Sequence, residues 1–139
     1  MASIREINQN DDTFVGIKLP FRFGTTGFFN QSKTVKEQAF SNLKNLILTI
    51  KGERVGQPEF GCGVHRIIFE PITETTSDSI EAAVRDAVSN WLPYISIHNV
   101  YVSIDDQDAN TILLSLEYSV DVEDPDSVES ISFNFNVGI

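Results

Sequence analysis

The apolar positions of this chain change period near residue 94. Before it, Phe40, Leu43, Ile47 and Ile50 recur at helical spacing with Leu46 beside them, which predicts a helix over 35–50 with one apolar stripe. Thr34 and Glu37 form a capping-box pair at its start, a hydroxyl and a carboxylate placed to satisfy N–H groups that lack helical partners. Gly52 ends it, and 52–61 is a loop rich in turn formers. A short helix over 64–69 follows. It stops at Glu70 because Pro71 disfavours helical geometry in the residue before it. A third helix is expected over 79–91, capped by Asp78 with Glu81 three residues on. Its stripe is Ile80, Val84, Ala87, Val88 and Trp91, and Pro93 closes it.

Beyond residue 94 the period is two. Residues 95–104 read as a strand, with a change of phase near Asn99 that predicts an irregularity. After a turn over 105–110, a second strand covers 111–122, with Ile112, Leu114, Leu116, Tyr118, Val120 and Val122 on one face. A turn over 123–126 leads to a third strand over about 130–137. The fold class is therefore α+β: helices followed by a C-terminal antiparallel three-stranded β-meander. Residues 1–33 read as an extended N-terminal arm. In it, 8–12 is a polar turn, Pro20 limits 14–23 to an edge or a loop, and 24–27 turns again. With 139 residues the chain is large enough for one core, assigned to a single domain over 34–139.

The final strand has an unusual pattern. Ile131, Phe133, Phe135, Val137 and Ile139 alternate with Ser132, Asn134, Asn136 and Gly138, and no side chain in this run is charged. Terminal strands often lie on sheet edges, which proteins guard with Lys, Pro, a bulge or a cover. This run carries no such guard in its sequence. Either it is a central strand of its own sheet, or another chain covers it.

Composition narrows the function classes. Apolar content of 41% and charged content of 22% are ordinary for a globular domain. No apolar run approaches the roughly 18–20 residues of a membrane span, so no membrane partner is expected. Residues 1–7 lack an apolar signal core, and Cys62 is the sole cysteine, so no internal disulfide can form. Both point to synthesis in a reducing cytoplasm. The net charge of −10 is unevenly placed. Residues 1–72 hold nine of the ten Lys/Arg and seven of the twenty Asp/Glu, while 73–139 hold one base, Arg85, and thirteen acids. That acidic half argues against nucleic acid, which needs clustered bases. It suits a basic protein partner, or it serves solubility alone.

Catalytic and metal signals are weak. His65 and His98 stand far apart, and His98 falls in a predicted strand. Cys62 and His65 make a pair of low specificity, short of a zinc set. Asp105, Asp106 and Asp108 resemble part of a calcium loop that no Gly and Glu complete. No cofactor is expected. A glycosidase needs two carboxylates about 5 to 10 Å apart, and nothing selects Glu53 and Glu70 as such a pair. Glu70 is notable for another reason: a carboxylate at a helix C-terminus faces the negative end of the dipole. Either Arg54 or Arg66 pairs with it, or it accepts hydrogen bonds from a neighbouring subunit.

Gly52-Glu53-Arg54, then Pro58-Glu59-Phe60-Gly61, then Phe69-Glu70-Pro71 resemble, in this order and spacing, the signature of the small baseplate wedge proteins of contractile phage tails and type VI secretion systems. The helix ending in Trp91-Leu92-Pro93 and the final meander fit the same family over roughly 33–122. Many members carry a basic residue after Glu-Pro where this chain has Ile72, a departure that leans toward a phage source. The resemblance implies a non-enzymatic inner-wedge component of a virion tail baseplate, assembled in the host cytoplasm. It implies a sixfold arrangement around the tail tube, docking to other wedge proteins, and initiation of the tail sheath by β-strand addition. Glu70 and Pro71, with Arg54 and Arg66 in support, become wedge-contact candidates. Ile131, Phe133, Phe135, Val137 and Ile139 become the sheath strand-exchange candidates. Because the family is often labelled lysozyme-like, a peptidoglycan hydrolase is the alternative, and an adaptor for an unrelated basic protein a third.

Overall fold

A computed structural model describes residues 15–24, 29–105, 110–121 and 124–136. Eight elements follow in order: β1 (Gly16–Ile17), β2 (Gln31–Ser32), α1 (Val35–Leu48), α2 (Val64–Ile68), α3 (Thr76–Trp91), β3 (Ile95–Ile104), β4 (Thr111–Val120) and β5 (Asp124–Asn136). The α+β class stands. β3, β4 and β5 form an antiparallel meander in that order, and the helices cover one of its faces.

The core lies between helices and sheet. Leu43, Leu46 and Ile47 of α1 and Ile80, Val84 and Val88 of α3 meet Ile112, Leu114, Leu116, Tyr118 and Val120 of β4 and Ile131, Phe133 and Phe135 of β5. β4 is central, so its inward row is covered on both flanks. On the opposite face the end of β5 is polar, with Ser132, Asn134 and Asn136 exposed and Ser115 of β4 bonded to Ser132 at 3.0 Å. That alternation accounts for the uncharged terminal run: its apolar row belongs to this chain's own core. Val137 and Ile139 lie outside the described residues.

Several boundaries differ from expectation for local reasons. The Thr34 cap forms, with its hydroxyl accepting from the Glu37 N–H at 3.2 Å. α1 nevertheless ends at Leu48, because Thr49 turns extended and its Oγ1 donates to the Asn45 carbonyl. Ile50 then bridges Cys62 and is 48% exposed, and Phe40 is 37% exposed, so the buried stripe is carried instead by Ala39, Leu43, Leu46 and Ile47. α3 begins three residues early. Thr73 donates its N–H to Thr76 Oγ1 and Ser79 Oγ donates to the Thr75 carbonyl, so a threonine turn starts the helix. Asp78 sits in its first turn, where it favours the dipole rather than capping. The irregularity near Asn99 is present, as a register shift between Ile97 and Asn99. β4 ends at Val120, where the Asp121 N–H bonds back to the Tyr94 carbonyl at 3.0 Å. β5 starts at Asp124 rather than near 130, after a second shift between Tyr118 and Val120. Pro125 is tolerated there because an edge strand needs only half its N–H groups for the ladder.

The arm is partly organised as well. Residues 15–17 and 31–32 pair as a small hairpin that lies on α1. Lys18 pairs with Glu37 at 2.9 Å, and the Leu19 N–H donates to Ser41 Oγ at 3.2 Å. Residues 1–14 lie outside the described part.

Candidate docking surfaces

The three sequence motifs meet around the ends of α1 and α2, where they divide into two roles. Gly52 adopts φ +90° and its N–H bonds the Pro58 carbonyl at 2.7 Å, which closes the loop. Glu53 turns its Oε2 onto the Ile50 N–H at 3.1 Å. The Arg54 guanidinium lies 4.0 Å over the Phe60 ring, and Phe60 meets Trp91 edge-on at 5.1 Å. Gly61 has φ +133°, and a Cβ there would stand 2.6 Å from the Thr49 carbonyl. Only glycine fits that approach. These residues build the loop.

The third motif points outward. Phe69 is 75% exposed, and Glu70, Pro71 and Ile72 are all exposed beside it. A cleft of about 320 Å³ runs along this turn, lined by Ile67, Glu70, Pro71, Thr73, Thr76 and Ser79. Among the described residues neither Arg54 nor Arg66 is ion-paired with Glu70; the pairs are Lys18–Glu37, Lys36–Glu129 and Arg85–Glu81. The internal partner that would have offset the unfavourable dipole at Glu70 is thus not its neighbour. Arg54 is engaged by Phe60 and Arg66 is exposed.

The second surface is the free edge of β5. Its inward face is held from below: Lys36 Nζ reaches Ser127 Oγ at 2.9 Å and Glu129 at 4.0 Å, and His65 stacks edge-on against Phe135 at 5.2 Å. Along 127–135, every backbone partner described belongs to β4. Half of the N–H and C=O groups there face away from the sheet, as they do on any edge strand.

The displaced titratable groups each have a local physical cause. Burial pushes the Cys62 thiol up, away from the thiolate that a nucleophile needs. Burial lowers the His65 pKa against an opposing pull from Glu53, and its Nδ1 is buried with no partner among the described residues. His98 is a sheet residue, as expected, with Nε2 2.9 Å from Ser119 Oγ. Burial, and then Glu129, push Tyr118 up to about 12. Burial draws the Glu37 carboxyl upward, yet Lys18 and the N–H groups of Lys33 and Thr34 outweigh it and hold it below the ordinary value. Among the described residues no three His, Cys, Asp or Glu side chains cluster as metal ligands, and no helix is long and apolar enough to cross a membrane. Asp106 and Asp108 lie outside the described residues.

A family model for the baseplate wedge protein gp25 matches residues 34–125. The chain belongs to the gp25 baseplate wedge family. The baseplate wedge protein gp25 of Enterobacteria phage T4 is 36% identical over 91 residues, spanning 66% of this chain and 67% of the phage protein. A solved structure from Geobacter sulfurreducens, labelled a tail lysozyme, superimposes with a TM-score of 0.67 at 28% identity, covering 76% of this chain and 94% of its own. A chain of a type VI secretion baseplate complex superimposes with a TM-score of 0.60 at 14% identity, covering 76% and 95% respectively; at that identity it shares the fold alone. The protein is accordingly a structural component of a contractile-tail baseplate that associates with other baseplate components. The wedge-family match begins after the β1–β2 hairpin, so that hairpin and its exposed Phe21, Phe23 and Phe29 lie outside it.

One residue was not singled out by sequence reasoning. Arg85 of α3 donates through Nη1 to the Ile97 carbonyl at 2.9 Å and through Nη2 to the His98 carbonyl at 3.2 Å, while Nε holds Glu81 at 2.8 Å. The signal available was that Arg85 is the lone base between residues 73 and 139.

Proposed function

We propose that this wedge protein initiates the tail sheath by accepting an extended sheath strand along β5, and that Glu70 and Pro71 dock it to neighbouring wedge proteins with Arg66 close by. In the assembled baseplate six copies surround the tail tube, each offering one such edge. The observation that carries the reading is β5 itself: a 13-residue edge strand whose last seven residues, 130–136, contain no Lys, Arg, Asp, Glu or Pro. An edge of that kind is a template for β-augmentation, in which main-chain hydrogen bonds give affinity and alternating side chains give register. The −12 charge of residues 73–139 favours an incoming segment that carries bases. Arg54 supports the wedge contact indirectly, by holding the loop through Phe60.

The protein acts without catalysis in this reading. The lysozyme label on the Geobacter relative gives the hydrolase reading its own test, loss of turbidity of purified cell walls, and clear lysis abolished by Glu70→Gln would establish it instead.

The strand-addition test is co-purification with the sheath protein of the same tail. Truncation before β5 would strip Ile131, Phe133 and Phe135 from the core, so the informative variant is Ser132→Lys with Asn134→Lys. Both positions are exposed on the polar face, and lysines are a natural guard of edges. Capture by the unaltered chain and loss in the folded double variant is the expected result; equal capture by both moves docking elsewhere.

A further inference from the structure

We infer that Arg85 closes the β3 edge of the sheet and thereby makes strand addition one-sided. The inference rests on the strand-addition reading above and says which of two edges is used, and why. A three-stranded sheet of order β3-β4-β5 has two free edges, and nothing in the alternation of β3 forbids docking there. In a regular strand, successive carbonyls point to opposite sides. One guanidinium therefore cannot take two in a row. Here it does: Arg85 binds the carbonyls of Ile97 and His98 at 2.9 and 3.2 Å, at the point where the register shifts between Ile97 and Asn99. The bulge turns both acceptors toward α3, and the fork of the arginine matches their spacing. Glu81, one helical turn back, fixes the guanidinium from its other side at 2.8 Å.

The carbonyls at this point of the β3 edge are thus occupied by a side chain of the same molecule. The cleft beside them, about 220 Å³ and lined by Arg85, Val88, Ser89, Pro93, Ile95 and Ile97, brings α3 and the α3–β3 turn against the first part of the strand. Past the bulge, β3 offers only 100–104 for pairing, against the 13 residues of β5. Bulges and charges at an edge are known devices against unwanted pairing. On β5 the register shift, Pro125 and the acidic residues all lie before residue 130, and 130–136 pairs in regular register without a charge.

The test is amide hydrogen exchange of the full chain with and without the sheath protein of the same tail, on the unaltered protein, Arg85→Ala and Arg85→Lys. The Arg85 side chain is 42% exposed, so both variants are expected to fold, with circular dichroism as the check. In the unaltered complex, exchange slows across 124–136 and is unchanged across 95–104. In Arg85→Ala, slowing extends to 95–104, or the chain alone self-associates through its opened edge. Arg85→Lys, with one donor group in place of the fork, behaves like Arg85→Ala. Slowed exchange at 95–104 in the unaltered complex overturns the inference while leaving strand addition intact. An Arg85→Ala chain that binds and protects as the unaltered one does also overturns it. No capture of sheath protein by the unaltered chain removes strand addition itself, and the inference with it.

Discussion

The loop around α2 and the edge of β5 are both offered to partners, but they are built on opposite principles. Around α2 the chain presents side chains: Phe69, Glu70, Pro71 and Ile72 stand out at its C-terminal end, while Gly52, Arg54, Phe60 and Gly61 shape the loop before it. Along 130–136 of β5 it presents backbone, and the side chains are either in the core or short and polar. Recognition through side chains depends on residue identity, whereas recognition through a strand edge depends on pattern and on what is left unpaired. The first kind leaves a sequence motif. The second leaves an alternation that any half-buried strand shares.

That contrast predicts where substitutions act. Phe133 is 5% exposed on the inward row of β5, so Phe133→Ala should cost about 3–5 kcal/mol of stability in urea titration. A variant that keeps its stability and loses only sheath binding would make Phe133 an interface residue. Gly61→Ala comes next. With φ +133° and a carbonyl 2.6 Å from the new Cβ, it should cost about 2–3 kcal/mol, though Gly61 touches no proposed partner. Arg54→Ala removes the guanidinium over Phe60 and should cost about 0.5–1 kcal/mol. A larger loss of wedge docking than of stability would show that Arg54 itself reaches the partner.

The hairpin on α1 gives a pH-dependent counterpart. Burial draws the Glu37 carboxyl upward, yet it is held below the ordinary carboxylate value, with Lys18 at 2.9 Å as the main lowering influence. Its folded-state pKa is depressed, so its contribution is complete above the unfolded value and is lost as pH falls through the folded one. Both side chains are about a third or more exposed, so the contribution is small. Glu37→Gln should flatten this part of the acid limb of a pH–stability curve and leave the neutral limb parallel. An unchanged acid limb would mean that the pair forms no better in the folded chain than in the unfolded one.

Much of this was legible in the sequence, for reasons that differ by element. β3 was readable from end to end, because alternation and flanking turns agree, and its irregularity showed as a slip of phase at Asn99. The inner face of α3 was readable from Ile80, Val84, Ala87 and Val88. Its start was not, because the Thr73–Thr76 turn competes with Asp78 on equal local terms and tertiary context decides. The start of β5 was hidden by Pro125, a turn signal that an edge strand can absorb. Of the candidate site, the Phe69-Glu70-Pro71 turn stood out as a motif, but its split from Gly52-Glu53-Arg54 did not, since spacing alone says nothing of which side chains face inward. Arg85 could not be found at all without the placement of α3 beside the β3 bulge.

Glu70 separates the two principles with the smallest expected effect on the fold. It is exposed, and no ion pair to Arg54 or Arg66 is found for it. Glu70→Ala should therefore change stability by no more than about 0.5 kcal/mol, and relief of its clash with the helix dipole offsets part of any loss. Sheath capture, which runs through the β5 backbone, should be unaffected. Capture of neighbouring wedge proteins should fall, because there a carboxylate that accepts hydrogen bonds is left without a substitute. If Glu70→Ala lowers both captures together, the turn and the edge are coupled, and the contact between His65 of α2 and Phe135 of β5 is the place where that coupling has to pass. If it lowers neither, the wedge contact lies elsewhere, and the exposed Phe69 and Ile72 on the same turn become the side chains to change.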